Sequence, residues 1–287
     1  MSLTLHAEII SLMSKYDIKI YNEHVRCDAM GIGDILFRFL CIKNKFIDSP
    51  FIINLKYFTK PYYGTNPLMQ LEFKLKLITD LCKYNNISIN VFKFTFSNNN
   101  DVNEILPYKV INNFKLDINV DCVHNIPEKY IIFHTKCRHF ISENYSLLKK
   151  QIQDFCKLFK SKYKIVIMGE RRFPENEEVK MHGITTVYDE LNHLTHYNII
   201  KDISIENIYS NLDYSNYIND VELIKHAEYN ICFGLGGQLC TSLIFGKSTL
   251  YYSRYDFLTD SYLNQNNHYH YLTAESMFDA INERCSL

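Results

Sequence analysis

Residues 229–252 read YNICFGLGGQLCTSLIFGKSTLYY, and this stretch decides the fold. It begins with an apolar run of strand length at 229–233, which leads directly into the sequence GLGG at 234–237. Apolar residues at helical spacing then predict a helix over 238–245, closed by Gly246-Lys247, and 248–252 predicts a further strand. Strand, glycine turn, helix and strand make a βαβ unit.

The glycines of this turn allow two interpretations. They let the backbone turn sharply, so that unpaired N–H groups at the helix start can face a phosphate. They also suit an ordinary tight turn between a strand and a helix, because a glycine turn alone is a weak signal. The rest of the chain has to decide between the two.

Composition bounds the class of protein. The chain has 287 residues, 47% hydrophobic and 22% charged, which suits one large or two modest packed domains. A net charge of -1 argues against general nucleic-acid binding. The nine cysteines form no CxxC pair, which argues against a zinc site or a disulfide framework. Without a signal-peptide pattern or an apolar run of roughly 18 residues, we expect a soluble cytoplasmic protein with no transmembrane segment.

Helices and strands alternate along both halves of the chain. Helices are predicted over 5–16, 35–42, 68–84, 142–161, 219–226 and 274–284, the last capped by Thr273. Strands are predicted over 18–25, 51–55, 87–94, 129–134, 163–168 and 184–188, with a charged loop over 173–181. Near-continuous apolar strands between helices predict parallel sheets covered on both faces.

An interdomain linker is predicted at Asn125-Ile126-Pro127. The predicted domains are therefore 1–125 and 126–270, followed by a C-terminal helix over 271–287. Four polar or glycine loops follow predicted strands, at 30–34, 135–139, 169–172 and 234–238. Ligands of doubly wound sheets bind beyond the carboxyl ends of the strands, so we expect these loops to meet in one cleft.

Four short motifs occur in a familiar order. They are Gly31-Ile32-Gly33-Asp34 after the first strand, Phe133-His134-Thr135-Lys136 after the linker, Met168-Gly169-Glu170, and a helix, strand, glycine loop, helix and Gly-Lys over 222–247. In this order the chain resembles the GT-B fold glycosyltransferases, in the style of the heptosyltransferase family (glycosyltransferase family 9). The resemblance implies an α/β fold of two facing Rossmann-like doubly wound parallel sheets, with acceptor bound by the first and nucleotide sugar by the second.

Two departures from that family limit what carries over. The loop before the last βαβ helix, 233–238, lacks the family's Asp or Asn and its Thr ahead of glycine. The Thr-Pro that usually follows the first loop is replaced by Phe37-Arg38-Phe39. The donor sugar, its base and the acceptor therefore stay open.

The resemblance and the loop chemistry together assign a donor site without a metal or cofactor. Cationic side chains and helix N-termini can balance the charge of a diphosphate leaving group. Thr135, Lys136 and Arg138 suit that role as hydroxyl donor and cations, and Gly236, Gly237 and Gln238 would offer backbone N–H groups. The alternative for the two cations is a solvated surface.

The loop at 169–172 is the candidate for the nucleoside. Gly169 and Glu170 end a strand where an acidic residue commonly binds a ribose or a base edge. Arg171 and Arg172 are candidates for phosphate or base contacts. Ion pairs with Glu175, Glu177 or Glu178 are the equally good alternative.

Asp34 is the candidate general base that takes the proton of the acceptor hydroxyl, in the loop that carries Gly31 and Gly33. The alternative is an acidic residue favoured at a helix N-terminus by the dipole. Asp28 is a second candidate. His134, a lone histidine at a strand end, is expected to be structural, and His268-Tyr269-His270 is expected to be a polar strand edge instead of a metal pair.

The expected function is an inverting, metal-independent glycosyltransferase. It would move a sugar from a UDP, GDP or ADP type nucleotide sugar to a hydroxyl of a glycan or glycoconjugate. Two alternatives stay open: a sugar-nucleotide epimerase of the same architecture, and a non-catalytic nucleotide-sugar-binding protein.

Overall fold

The computed structural model describes fifteen stretches of the chain. They are residues 3–16, 32–43, 51–54, 67–88, 92–95, 116–119, 129–134, 163–168, 178–181, 184–187, 206–208, 214–233, 237–252, 268–271 and 273–285. These residues divide into two compact units, each of which is described by itself. The predicted linker at 125–127, the predicted strand at 18–25 and the predicted helix at 142–161 lie outside the described residues.

The first unit contains three helices and a pair of strands. The helices are α1 (Leu3–Lys15), α2 (Ile32–Lys43) and α3 (Pro67–Asn85), which confirms the three helices predicted there. Strands β1 (Phe51–Asn54) and β2 (Phe92–Thr95) pair in parallel, with Phe51 opposite Phe92. The strand predicted at 87–94 is observed as β2 and begins at Phe92, later than predicted.

Each helix of this unit buries one apolar stripe, as the helical spacing predicts. The buried residues include Ile9 and Met13 of α1, Leu36, Phe39 and Leu40 of α2, and Leu71, Leu75, Ile78 and Leu81 of α3. Ile10, one of the apolar residues behind the α1 prediction, is instead 43% exposed. Ile9 and Ile10 differ by about 100° around the helix, so Ile10 falls outside the buried stripe.

Asparagines end α3. Asn86 adopts φ 55°, the left-handed conformation that commonly terminates a helix, and the Ile87 N–H donates to the Cys82 carbonyl at 2.9 Å. Next to it, the buried Asn85 side chain donates to the Asp117 carbonyl at 2.8 Å and accepts from the Asp117 N–H at 2.9 Å. Asn85 therefore holds residues 116–119 against α3 through two hydrogen bonds between its side-chain amide and the Asp117 backbone.

The second unit is built on a six-stranded sheet in which every pairing is parallel. Its strands are β3 (Tyr130–His134), β4 (Lys164–Met168), β7 (Glu206–Ile208), β8 (Tyr229–Phe233), β9 (Thr249–Tyr252) and β10 (His268–Tyr271). Their order across the sheet is β10-β9-β8-β3-β4-β7. The parallel α/β sheet that the sequence predicts for this part of the chain is present.

Three helices are described in this unit. They are α4 (Tyr214–His226), α5 (Gly237–Phe245) and α6 (Ala274–Cys285). The N-cap prediction for α6 is confirmed, since the Ser276 N–H donates to Thr273 Oγ1 at 3.1 Å. In the central strand β3, residues 130–134 are all buried, as expected for a strand covered on both faces.

One predicted loop is wrong. Residues 173–181 were expected to form a charged loop, but β5 (Glu178–Met181) pairs antiparallel with β6 (Ile184–Val187). The Glu and Lys residues of this segment suggested a loop because charged residues are depleted in strands. The depletion is a statistical preference, and the antiparallel pairing with β6 accommodates these residues all the same.

The C-terminal end of α5 is packed against β8. The Gly246 N–H donates to the Ser242 carbonyl at 2.9 Å, and the buried Asn230 side chain donates to the Ile224 carbonyl at 3.2 Å. A Cβ at position 246 would lie 2.5 Å from the Ser242 carbonyl oxygen and 2.6 Å from Asn230 Nδ2. The glycine that was predicted to close this helix is thus required by a close approach between helix and strand.

We predict that Gly246→Ala destabilises the protein, because the added methyl group must displace Asn230 or the helix end. Overpacking of this kind costs about 1–3 kcal/mol of unfolding free energy, measurable by urea denaturation. Lys247→Ala at the neighbouring exposed position is the matched control and should change the unfolding free energy by less than about 0.5 kcal/mol. Equal stability of Gly246→Ala and the unaltered protein would contradict the close packing.

His268 of β10 supports α5 from the sheet edge and gives stability a pH dependence. Burial lowers the pKa of His268 from 6.5 to about 4, although its hydrogen bond to the Leu243 backbone opposes the shift. Between these two values the unfolded chain binds a proton that the folded protein does not. The contribution of neutral His268 to the free energy of unfolding is therefore fully present above pH 6.5. It decreases as the pH falls from 6.5 toward about 4.

Denaturant unfolding across that pH window should show the effect. We expect the unaltered protein to lose roughly 2–3 kcal/mol more than His268→Gln on acidification, from the size of the pKa shift. His226→Gln, at an exposed position of α4, is the control and should follow the unaltered protein. Identical acid profiles for the unaltered protein and His268→Gln would refute the assignment.

Candidate functional site

The order of strands in the second unit creates a switch point. β3 is the first strand of this sheet in the chain, and the chain then adds β4 and β7 on one side of it. It returns to place β8 on the other side of β3 and continues outward through β9 and β10. The connections thus leave in opposite directions at the β3–β8 pair, and a crevice forms beyond the carboxyl ends of strands at such a point.

Three of the four predicted loops follow strands at this place. His134 of β3 lies opposite Met168 of β4, and Phe133 lies opposite Ile231 of β8, so the three strands end at one edge. The sequence continues from these ends into the candidate residues Thr135, Lys136 and Arg138 after β3, Gly169, Glu170 and Arg171 after β4, and Gly236 after β8. Those residues lie outside the described part of the chain, but their starting points are brought together.

The glycine loop after β8 ends where α5 begins. Gly237 and Gln238, both predicted to offer backbone N–H groups, are the first two residues of α5. The first four N–H groups of a helix have no partner within the helix, and they carry the positive end of the helix dipole. α5 therefore presents the positive end of its dipole shortly after the strand that borders the switch point, at residues 237 and 238.

The candidate residues of the first unit are partly helical. α2 begins at Ile32, so Gly33 and Asp34 lie in its first turn and not in a loop before Ile35. Gly33 is buried. A carboxylate at the third helical position is favoured by the dipole, so the position of Asp34 agrees with the base and with the structural alternative. Gly31 and Asp28 lie outside the described residues.

A buried polar cluster, which we call the Ser242 junction, fixes α5 on the sheet. It consists of Ser242 with His134, Cys232 and Thr249. Ser242 Oγ lies 3.0 Å from His134 Nε2 at the end of β3 and accepts a weak hydrogen bond from Cys232 Sγ of β8 at 3.8 Å. Thr249 Oγ1 of β9 donates to the Ser242 carbonyl at 2.9 Å. One residue of α5 thus contacts three neighbouring strands.

The junction has the wrong accessibility for covalent chemistry. A serine beside a histidine nitrogen resembles an activated nucleophile and its base. However, Ser242 is 0% exposed and His134 only 1% exposed, so a substrate has no access to either. Burial raises the pKa of the Cys232 thiol to about 12, although the hydrogen bond with Ser242 opposes the rise, so the unreactive protonated form is retained. The cluster positions elements, as predicted for His134.

A second buried hydrogen bond joins α5 to α4. Tyr217 OH lies 3.2 Å from Thr241 Oγ1, and burial raises the pKa of the Tyr217 phenol so that it stays protonated. Sequence reasoning missed Tyr217, Thr241 and Ser242. The available signal was the Thr-Ser pair in the middle of an otherwise apolar nine-residue helix, where polar side chains need partners.

The sheet edge at β10 is as predicted. His268-Tyr269-His270 occupies the edge strand, where the His270 ring packs against Tyr251 with 5.0 Å between ring centroids. Within the stretches that the structure describes, no three His, Cys, Asp or Glu side chains are grouped so that they could hold a metal ion. Among the helices of those same stretches, none has the length and apolar character to cross a membrane.

The comparisons with known proteins add no relative. No family model, no curated protein and no solved structure matches this chain. The candidate site therefore depends on the residues and on the topology of the parallel sheet.

Proposed function

We propose that this chain is a glycosyltransferase of the GT-B type that uses a nucleotide-sugar donor. The observation that carries the proposal is the switch point between β3 and β8, with α5 starting just after β8. The order of the four short motifs supports the same conclusion by resemblance. The second unit would bind the nucleoside diphosphate, and the first unit would bind the acceptor.

The proposed donor site balances the diphosphate charge without a metal. The N–H groups of Gly237 and Gln238 lie at the positive end of α5, and Lys136 and Arg138 follow the neighbouring strand β3 in the sequence. Each hydrogen bond to a charged oxygen contributes about 1.5–3 kcal/mol, so two or three such donors would supply roughly 3–9 kcal/mol before the cost of association. Glu170, after β4, would contact the ribose or the base edge.

The proposed reaction is a single inverting displacement. The hydroxyl oxygen of the acceptor attacks the anomeric carbon of the donor sugar, and its proton passes to the Asp34 carboxylate. The bond between that carbon and the diphosphate oxygen breaks, and the electron pair leaves with the diphosphate. Donors held in place beforehand stabilise the charge that develops on this leaving group. The proposal requires the first unit to present Asp34 toward the second.

Nucleoside diphosphates should stabilise the protein. A thermal-shift comparison of UDP, GDP and ADP should show one that raises the melting temperature, because a ligand at about 100 times its Kd adds about 2.7 kcal/mol. Arg138→Glu should weaken that response, whereas Lys149→Glu, on the predicted helix at 142–161, should retain it. No shift with any of the three nucleotides would contradict the donor site, and equal losses in both variants would remove Arg138 from it.

Asp34→Asn should separate binding from transfer. We expect nucleotide affinity to be retained and sugar transfer to a panel of hydroxyl acceptors to fall by roughly 10²–10⁴-fold, the usual contribution of a general base. Product analysis by mass spectrometry distinguishes transfer from epimerisation, which changes the donor sugar without an acceptor. Full transfer by Asp34→Asn would leave the carboxylate with only its structural role at the start of α2.

A further inference from the structure

We propose that His134 is a positioning residue for the nucleotide site, acting through its hydrogen bond to Ser242. The inference rests on the proposed function, because it assigns to the pair the task of aligning the two halves of the diphosphate site. His134 is the last residue of β3 and directly precedes Thr135. Ser242 belongs to α5, whose first residues supply the backbone donors.

The first argument is that the bond is directional where packing is not. Most of the buried side chains of the two elements are apolar, such as Ile131, Ile132 and Phe133 of β3 and Leu239 and Leu243 of α5. Apolar packing tolerates small slides and rotations of a helix, whereas a 3.0 Å hydrogen bond between two buried groups fixes distance and orientation. A buried polar pair also penalises every arrangement that leaves one partner unsatisfied.

The second argument is the place of the bond. Ser242 lies five residues after Gly237 on the same short helix, so a rotation or slide of α5 at Ser242 moves the N–H groups of Gly237 and Gln238 with it. The other partner is the residue from which the chain continues to Lys136 and Arg138. Misplacing binding groups by about 1 Å is enough to lose much of their effect.

The chain offers a matched control on the preceding residue of the same helix. Tyr217 OH and Thr241 Oγ1 form a buried hydrogen bond of 3.2 Å that joins α5 to α4 and not to a strand of the switch point. Its removal by Tyr217→Phe should cost stability comparable to removal of the His134–Ser242 bond. It should not misalign α5 with the end of β3.

The experiment measures nucleotide affinity and melting temperature in parallel on full-length variants. The variants are His134→Leu, His134→Gln, Ser242→Ala, the double variant His134→Leu with Ser242→Ala, and Tyr217→Phe. The probe is whichever of UDP, GDP and ADP binds the unaltered protein. Hydrogen exchange of the α5 backbone amides at 241–245, which can donate within the helix, is measured on the same samples without nucleotide.

We expect His134→Leu and Ser242→Ala each to weaken binding by about tenfold, the equivalent of one hydrogen bond, with no further loss in the double variant. His134→Gln can reach Ser242 with its side-chain amide and should stay within roughly threefold of the unaltered affinity. Tyr217→Phe should also stay within roughly threefold of the unaltered affinity, although its melting temperature should fall about as far as that of Ser242→Ala. Amide exchange should accelerate at residues 241–245 of α5 in His134→Leu, with β9 and β10 unchanged.

The proposal is overturned if affinity falls in proportion to melting temperature across all variants, Tyr217→Phe included. Should His134→Leu fail to fold, Ser242→Ala and His134→Gln still decide, because equal affinities in these two variants contradict the inference. If the unaltered protein binds none of the three nucleotides, the proposed function fails. The exchange data then judge the positioning separately: faster exchange confined to residues 241–245 of α5 supports it, and unchanged exchange refutes it.

Discussion

The contact of one helical residue with three parallel strands is the constraint on which the second unit depends. The Ser242 hydroxyl forms hydrogen bonds with His134 of β3 and Cys232 of β8. The Ser242 carbonyl accepts a hydrogen bond from Thr249 of β9. Each partner is buried, so the polar groups must be paired for the protein to fold at low cost. This requirement fixes the position of α5 along the sheet. The first residues of the helix, Gly237 and Gln238, are positioned with it.

The topology of the sheet places the start of α5 next in the chain after β8, one of the two strands at the switch point. The chain places β3 in the centre, builds outward on one side, and returns to place β8 on the other. The strands that follow β3 and β8 in the chain lie on opposite sides of this pair, and doubly wound sheets of this order bind ligands at the carboxyl edge. α5 begins three residues after β8 ends, its first N–H groups having no acceptor within the helix itself, and the sequence supplies two cations shortly after β3. A dianionic diphosphate complements these groups in charge and in hydrogen bonding.

Local patterns made much of this fold predictable. Residues 229–252 predicted β8, α5 and β9 almost to the residue, since apolar runs, glycines and helical spacing are properties of the neighbouring sequence. The same reasoning missed β5, because its charged residues are uncommon in strands. It also missed the hydrogen-bond partner of Ser242, which lies 108 residues away in the chain. No periodicity reports such a contact. The role of Gly246 likewise depends on Asn230, which only the fold brings near.

The most direct test of the nucleotide site is an amide NMR titration of the unaltered protein with the nucleoside diphosphates UDP, GDP and ADP. The account predicts that one of them shifts the resonances of Gly237 and Gln238 at the start of α5, together with those of Lys136 and Arg138 after β3 and Glu170 after β4. Binding that leaves the start of α5 unchanged, with shifts confined to other parts of the chain, would contradict it.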